Sequence, residues 1–237
     1  MASLRDIAAC IGVGGDFSVV RDFMGYVTGV YGHPDLALDF NDATLDQVVT
    51  DPTRPGTISL KRQTELLRGR HVHLDVILVG PAAFSGTERQ EIDVAIHMAR
   101  AIWARHGLGI GRIHRSFIPD EDVGVFASID TECEVSDLID EWEAHGGGID
   151  VFFVHDLDMG LAGATPTKDA GGLLVEIQGN ASSGLALAHE LGHYFGLEHV
   201  ETKTNLMVKA ALEPPYDLDG DQKGVVFDHD SILGGCP

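Results

Sequence analysis

A chain of 237 residues, 44% of them hydrophobic, carries enough apolar content to bury a sizeable core. Its 37 acidic residues against 16 Lys and Arg leave a net charge of −21, which argues against nucleic acid or an anionic membrane surface as partners, because both need a basic patch. No run reaches the roughly eighteen apolar residues of a membrane span, and three cysteines, Cys10, Cys133 and Cys236, are too few for a disulfide framework.

The acidity suits cationic substrates or bound calcium, although solubility or a salty habitat is its simpler source. The opening residues M-A-S-L-R-D-I-A-A-C lack a basic start leading into a sustained apolar core, so no signal peptide is visible. An exported protein whose leader had been removed would read the same, and the compartment stays open. Val19, Val20, Phe23, Met24, Val27 and Val30 recur at helical spacing and predict a helix over 17–31. Thr44 to Val49 form a second short helix before Pro52 and Pro55. The G-V-G-G at 12–15 lacks the Lys-Ser/Thr of a phosphate loop and reads as a turn. Residues 1–70 are therefore expected to be an N-terminal helical extension packed on a main domain of residues 71–237. An inhibitory prosegment is the alternative.

Residues 72–80, V-H-L-D-V-I-L-V-G, predict a buried strand. A long helix over 85–107 follows, with Thr87 and Gln90 as its capping box, Gly107 as its stop, and an apolar stripe of Ile92, Ala95, Ile96, Ala99, Ile102 and Trp103. The apolar runs 149–154 and 172–177, bounded by glycines, predict two more covered strands. Between them, G-L-A-G-A-T-P at 160–166 reads as an exposed edge segment.

The eleven residues His189 to His199, H-E-L-G-H-Y-F-G-L-E-H, concentrate the chemistry. One helical turn separates His189 from His193, so both imidazoles reach one cation. Glu190 is rotated by roughly 100° about the axis, placed as a base and not as a ligand. Gly196 lies where a helix that must stop wants a residue tolerating positive φ. The chain then turns back and His199 completes a three-histidine zinc site whose fourth position is left for water. No serine offers a competing nucleophile, since Ser116, Ser128, Ser182 and Ser183 all lack the flanking glycines of a nucleophile elbow.

His189, Glu190, His193, Gly196 and His199 resemble the extended zinc signature of the metzincin metallopeptidases. Thr204-Asn205-Leu206-Met207 is similar to the methionine turn of that clan, with Met207 as a hydrophobic floor under the imidazoles. The resemblance covers about residues 72–212 and is nearest to pappalysin-like bacterial enzymes, with no family assigned. It implies an α+β fold: a mixed twisted sheet, a long backing helix, a zinc-binding active-site helix and a small C-terminal subdomain after the methionine turn. It also implies that the 160–166 edge pairs with an extended substrate. Two positions depart from the pattern: Val208 and Lys209 follow Met207 where several groups have a tyrosine, and Val200 follows His199.

The expected activity is a zinc-dependent endopeptidase acting on protein or peptide substrates, with Glu190 as general base. A zinc-binding interaction module without activity and a hydrolase of non-peptide amides are the alternatives. Two further readings concern other residues. Asp217, Asp219 and Asp221, with Asp228 at the twelfth position, partly resemble a calcium loop, but Gln222 stands where its glycine belongs. The preferred reading of these aspartates is an acidic turn capping a C-terminal helix. Cys10 is a conceivable fourth zinc ligand, with a buried structural cysteine as the default.

Overall fold

A strand covered on both faces must be apolar at consecutive positions, and β3 (Ile149–Val154), I-D-V-F-F-V, is buried throughout. The computed structural model describes residues 65–144, 147–160, 162–166, 171–178, 180–209 and 214–235. Cys10 and the helices expected over 17–31 and 44–49 lie outside them.

The fold is mixed α/β. β1 (Arg70–Val79), β2 (Leu108–Ile118), β3, β4 (Gly163–Ala164) and β5 (Gly172–Glu176) form one five-stranded sheet in the order β2-β1-β3-β5-β4. The β1–β2, β1–β3 and β3–β5 pairings are parallel, and β4 runs antiparallel to β5 at one edge. The alternation along each strand divides the core. Val72, Leu74, Val76, Val151 and Phe153 face one layer, built from α1 (Gly86–Arg105) and α3 (Asn180–Tyr194). Ile77, Val79, Phe152, Val154 and Leu174 face the other, where Val135, Leu138 and Ile139 of α2 (Glu132–Glu141) cover them. α4 (Gly220–Phe227) follows near the end of the chain. Among the described residues, no helix is long and apolar enough to cross a membrane.

The expected stripe of α1 is buried at all six positions, from Ile92 to Trp103. Its capping box lies two residues earlier than expected: the Ser85 Oγ accepts from Glu88 N–H at 3.2 Å, and Ser85 N–H donates to the Glu88 carboxylate at 2.7 Å. Both S-x-x-E and T-x-x-Q satisfy the local rule. Burial of Phe84, 3% exposed, places the chain's entry into the helix just before Ser85. Gly107 ends the helix as expected, at φ 88°.

Two elements have no counterpart in the sequence expectations. β2, L-G-I-G-R-I-H-R-S-F-I, is hidden by its glycines, which the structure uses for contact. A Cβ on Gly111 would stand 2.7 Å from the His73 ring, and one on Gly109 3.0 Å from Leu66 Cβ. The second element, α2, did carry a readable signal. Thr131 and Glu134 form a reciprocal capping box, and Val135, Leu138 and Ile139 have helical spacing.

α1 and α3 lie against each other closely enough that a Cβ on Gly184 would meet Met98 Cβ at 2.7 Å. Gly224 in α4 has nothing within 4 Å of the same position. The same substitution should therefore have opposite signs. Gly224→Ala should stabilise by about 0.5–1 kcal/mol through backbone entropy, whereas Gly184→Ala should lose about 1–3 kcal/mol to overpacking, more than it gains. Thermal melts of the two variants decide this, and shifts in one direction would refute the close helix contact.

Candidate metal centre

α3 leaves the sheet after β5 and carries His189 and Glu190 on one turn and His193 on the next. Its end is a Schellman arrangement. Gly196 N–H donates to His193 C=O at 2.8 Å, Leu197 N–H donates to Gly192 C=O at 2.9 Å, and Gly196 takes φ 89°. A residue with a Cβ is strained there. The reversal returns His199 towards the helix, and Val200 N–H to Met207 C=O, 2.9 Å, fixes the returning segment.

The three Nε2 atoms form a triangle with edges of 3.1 Å (His189–His193), 3.2 Å (His189–His199) and 3.1 Å (His193–His199). Among the described residues, this is the cluster of His, Cys, Asp or Glu side chains able to hold a metal ion. The outer nitrogens of two rings are committed elsewhere. His189 Nδ1–H donates to Leu206 C=O and His193 Nδ1–H to Leu197 C=O, each at 2.7 Å. Burial is the main cause holding the His189 imidazole down to about 4 and lowering that of His193, so both rings are neutral and their Nε2 atoms carry lone pairs. Two lone pairs 3.1 Å apart repel unless a cation lies between them. With metal–nitrogen bonds of about 2.05 Å, tetrahedral coordination asks for nitrogen separations of roughly 3.3 Å, close to the edges observed.

Glu190, 7% exposed, shares a cleft of about 600 Å³ with the three histidines. Thr165 Oγ1–H donates to its Oε2 at 2.7 Å. Burial raises the Glu190 carboxyl to about 7, and the Thr165 hydrogen bond opposes that rise. The carboxylate fits because β4 is bare beside it: a Cβ on Gly163 would stand 2.7 Å from Glu190 Cγ. Thr165 is a site residue that the sequence reading missed. No spacing links it to Glu190, 25 residues away; the β4 edge brings it there.

Met207 is fully buried, and its sulfur packs where a Cβ on Gly192 would stand 2.3 Å away. The methionine thus lies against the backbone of α3 between His189 and His193. The turn carrying it is clamped by main-chain bonds from Asp217 N–H to Thr204 C=O, 2.7 Å, and from Leu206 N–H to Asp217 C=O, 2.8 Å.

Among the described residues, Asp217, Asp219 and Asp221 are not among the side-chain clusters able to hold a metal ion. Asp219 caps α4, its Oδ1 accepting from Gln222 N–H at 2.8 Å, and Asp221 lies in the first turn. Cys133 is exposed and unpaired on α2, while Cys10 and Cys236 lie outside the described residues.

The sequence matches no protein-family model and no curated protein. Among solved structures, the chain is similar to metalloproteinase-II from Bacteroides fragilis, with a TM-score of 0.48 and 16% identity over 68% of this chain and 53% of that one. It is also similar to a chain in the structure of a chaperone–substrate complex, with a TM-score of 0.45 and 10% identity over 60% of this chain and 31% of that one. The chain spans about half the length of the first and under a third of the second.

Burial of histidines makes the metal-free protein sensitive to acid. His73, His106 and His189 are each held down to about 4, chiefly by burial, and His71, His97 and His193 are lowered for the same reason. Unfolding returns each towards its ordinary 6.5, so between about 4 and 6.5 the unfolded chain binds more protons and stability falls as the pH drops. Glu190, raised from 4.5 to about 7, acts in the opposite sense but is one group against six. The melting temperature of chelator-treated protein should therefore fall between pH 6.5 and pH 4. A flat or rising profile on acidification would contradict the burial of these rings as neutral groups.

Proposed function

We propose that this protein is a zinc-dependent endopeptidase in which His189, His193 and His199 hold the metal and Glu190 is the general base. The observation that carries the reading is the pair of neutral imidazoles whose Nε2 lone pairs face each other at 3.1 Å, with a third ring nitrogen at the same range and a buried carboxylate in the same cleft. Three neutral imidazoles suit zinc, a borderline-soft ion accepting tetrahedral nitrogen ligation, better than magnesium or calcium, which prefer oxygen. When bound there, zinc supplies Lewis acidity, lowering the pKa of a water to about 7 and polarising a carbonyl.

The chain's own residues supply the rest. Thr165 holds Glu190 Oε2, which leaves Oε1 to take a proton from the attacking water and pass it to the departing amine. A carboxyl whose burial raises it to about 7 accepts and releases a proton near neutral pH without a large energetic mismatch. A positive charge in the site would favour its ionised form and so make it available as a base. β4 is the sheet edge bordering the cleft, and its Gly163 and Ala164 pair on one side with Val175 and Leu174 of β5. The other side suits an extended peptide that adds a strand. Val135, Leu185 and Val208 give the cleft apolar walls, while Glu132 and Lys209 bring opposite charges to its lining.

Peptide hydrolysis with and without chelator, on preparations whose zinc content is measured, tests the reading. Glu190→Gln should retain near-stoichiometric zinc and lose turnover by at least about a hundredfold, the lower range of general-base contributions. Turnover at the wild-type level in that variant removes Glu190 as the base. His199→Ala should weaken zinc binding itself by removing one of three protein ligands. Undiminished affinity there would rule out the three-histidine site.

A further inference from the structure

Behind the metal centre, Asn205 and Gln222 form a buried amide pair, 8% and 9% exposed. Asn205 Nδ2–H donates to Gln222 Oε1 at 2.7 Å, and Gln222 Nε2–H donates to Asn205 Oδ1 at 3.3 Å. Each oxygen also takes a backbone proton: Asn205 Oδ1 that of Met207 at 2.9 Å, Gln222 Oε1 that of Asp219 at 3.0 Å. The Met207 N–H belongs to the same planar peptide unit as the Leu206 carbonyl. That carbonyl accepts the His189 Nδ1 proton. Asn205 therefore grips one end of a rigid plate whose other end sets the His189 tautomer. Rotating the plate breaks both bonds together.

We propose that Asn205 and Gln222 are positioning residues for the metal: through the Leu206–Met207 peptide plane they keep the His189 proton on Nδ1 and its Nε2 free to ligate. The inference rests on the proposed zinc site. Gln222 also ties the plate to α4, since its own N–H is held by Asp219 Oδ1. The C-terminal helix is thereby connected to a ligand ring without touching the cleft. His193 lacks this dependence, because its Nδ1 partner, the Leu197 carbonyl, belongs to the termination of α3 itself.

That asymmetry supplies the internal control. Gln222→Met keeps the length of the side chain and removes its polar atoms; Gln222→Glu keeps an acceptor for both Asn205 Nδ2–H and Asp219 N–H. In metal-free protein, long-range proton–nitrogen spectra of the imidazoles should show the Nδ1–H form of His189 in the wild type and in Gln222→Glu. Gln222→Met should mix in the Nε2–H form at His189 and leave His193 unchanged. Zinc affinity, read by chelator competition, should fall about 10–100-fold in Gln222→Met, the usual cost of losing an outer partner of a metal ligand, and recover in Gln222→Glu. If Gln222→Met fails to fold, Asn205→Leu, which keeps the side chain's size and removes the acceptor for Met207 N–H, should shift His189 and release zinc faster. A folded Gln222→Met or Asn205→Leu with wild-type His189 tautomer and zinc affinity overturns the proposal, as does equal loss in Gln222→Glu and Gln222→Met. Absence of zinc binding in the wild type would count against the proposed function instead, and the tautomer comparison would still decide the role of the pair.

Discussion

Two neutral imidazole nitrogens that face each other at 3.1 Å can both offer a lone pair to one metal ion only if the proton of each ring is held on its far side. The rest of the centre follows from that constraint. The far sides of His189 and His193 are held by carbonyls of two different segments, one in the turn at Leu206 and the other in the helix termination at Leu197. Each segment is in turn made rigid by bonds that have nothing to do with metal: the Schellman arrangement around Gly196, and the main-chain and amide clamps around Asn205. A candidate metal site of this kind is a property of how a helix ends and what is packed beneath it, as much as of its three histidines.

Close approach by glycine recurs wherever the centre touches its scaffold. Gly163 clears the space for Glu190, Gly184 lets α3 lie on α1, and Gly192 admits the Met207 sulfur. Each gives up the helix or strand propensity that a side chain would bring. The return is a dense surround, and its electrostatic effect is visible in Glu190, whose carboxyl burial raises to about 7, and in His189, which burial holds to about 4. Both shifts have one cause, desolvation of the charged form, with opposite consequences for an acid and a base. The acidic character of the chain as a whole plays little part in them.

Legibility from sequence differed element by element for physical reasons. α1, β3 and β5 bury apolar runs of the proper period, and such runs are local. α2 was equally legible in principle through Thr131, Glu134 and its i, i+3, i+4 apolar residues, but these lie scattered in a stretch dominated by acidic side chains. β2 was not legible: its glycines and its exposed His114 and Arg115 break the alternation, and it is a strand because β1 offers a parallel ladder from Arg70 to Val79.

The sequence by itself determined which residues make the candidate site and their order, because the i, i+4 spacing of His189 and His193, the place of Glu190 beside them, the stop at Gly196 and the returning His199 depend only on helix geometry and on glycine's access to positive φ. Met207 was placed near them only by the resemblance of Thr204-Asn205-Leu206-Met207 to a methionine turn. Only the tertiary structure decided the surroundings: that Thr165 holds Glu190, that Gly192 makes room for Met207, and that Asn205 meets Gln222. These are contacts between residues 15 to 25 positions apart or on separate elements. Such distances are closed by the sheet edge and by the packing of the buried Gln222 and Val226 face of α4, and no periodicity along the chain encodes them.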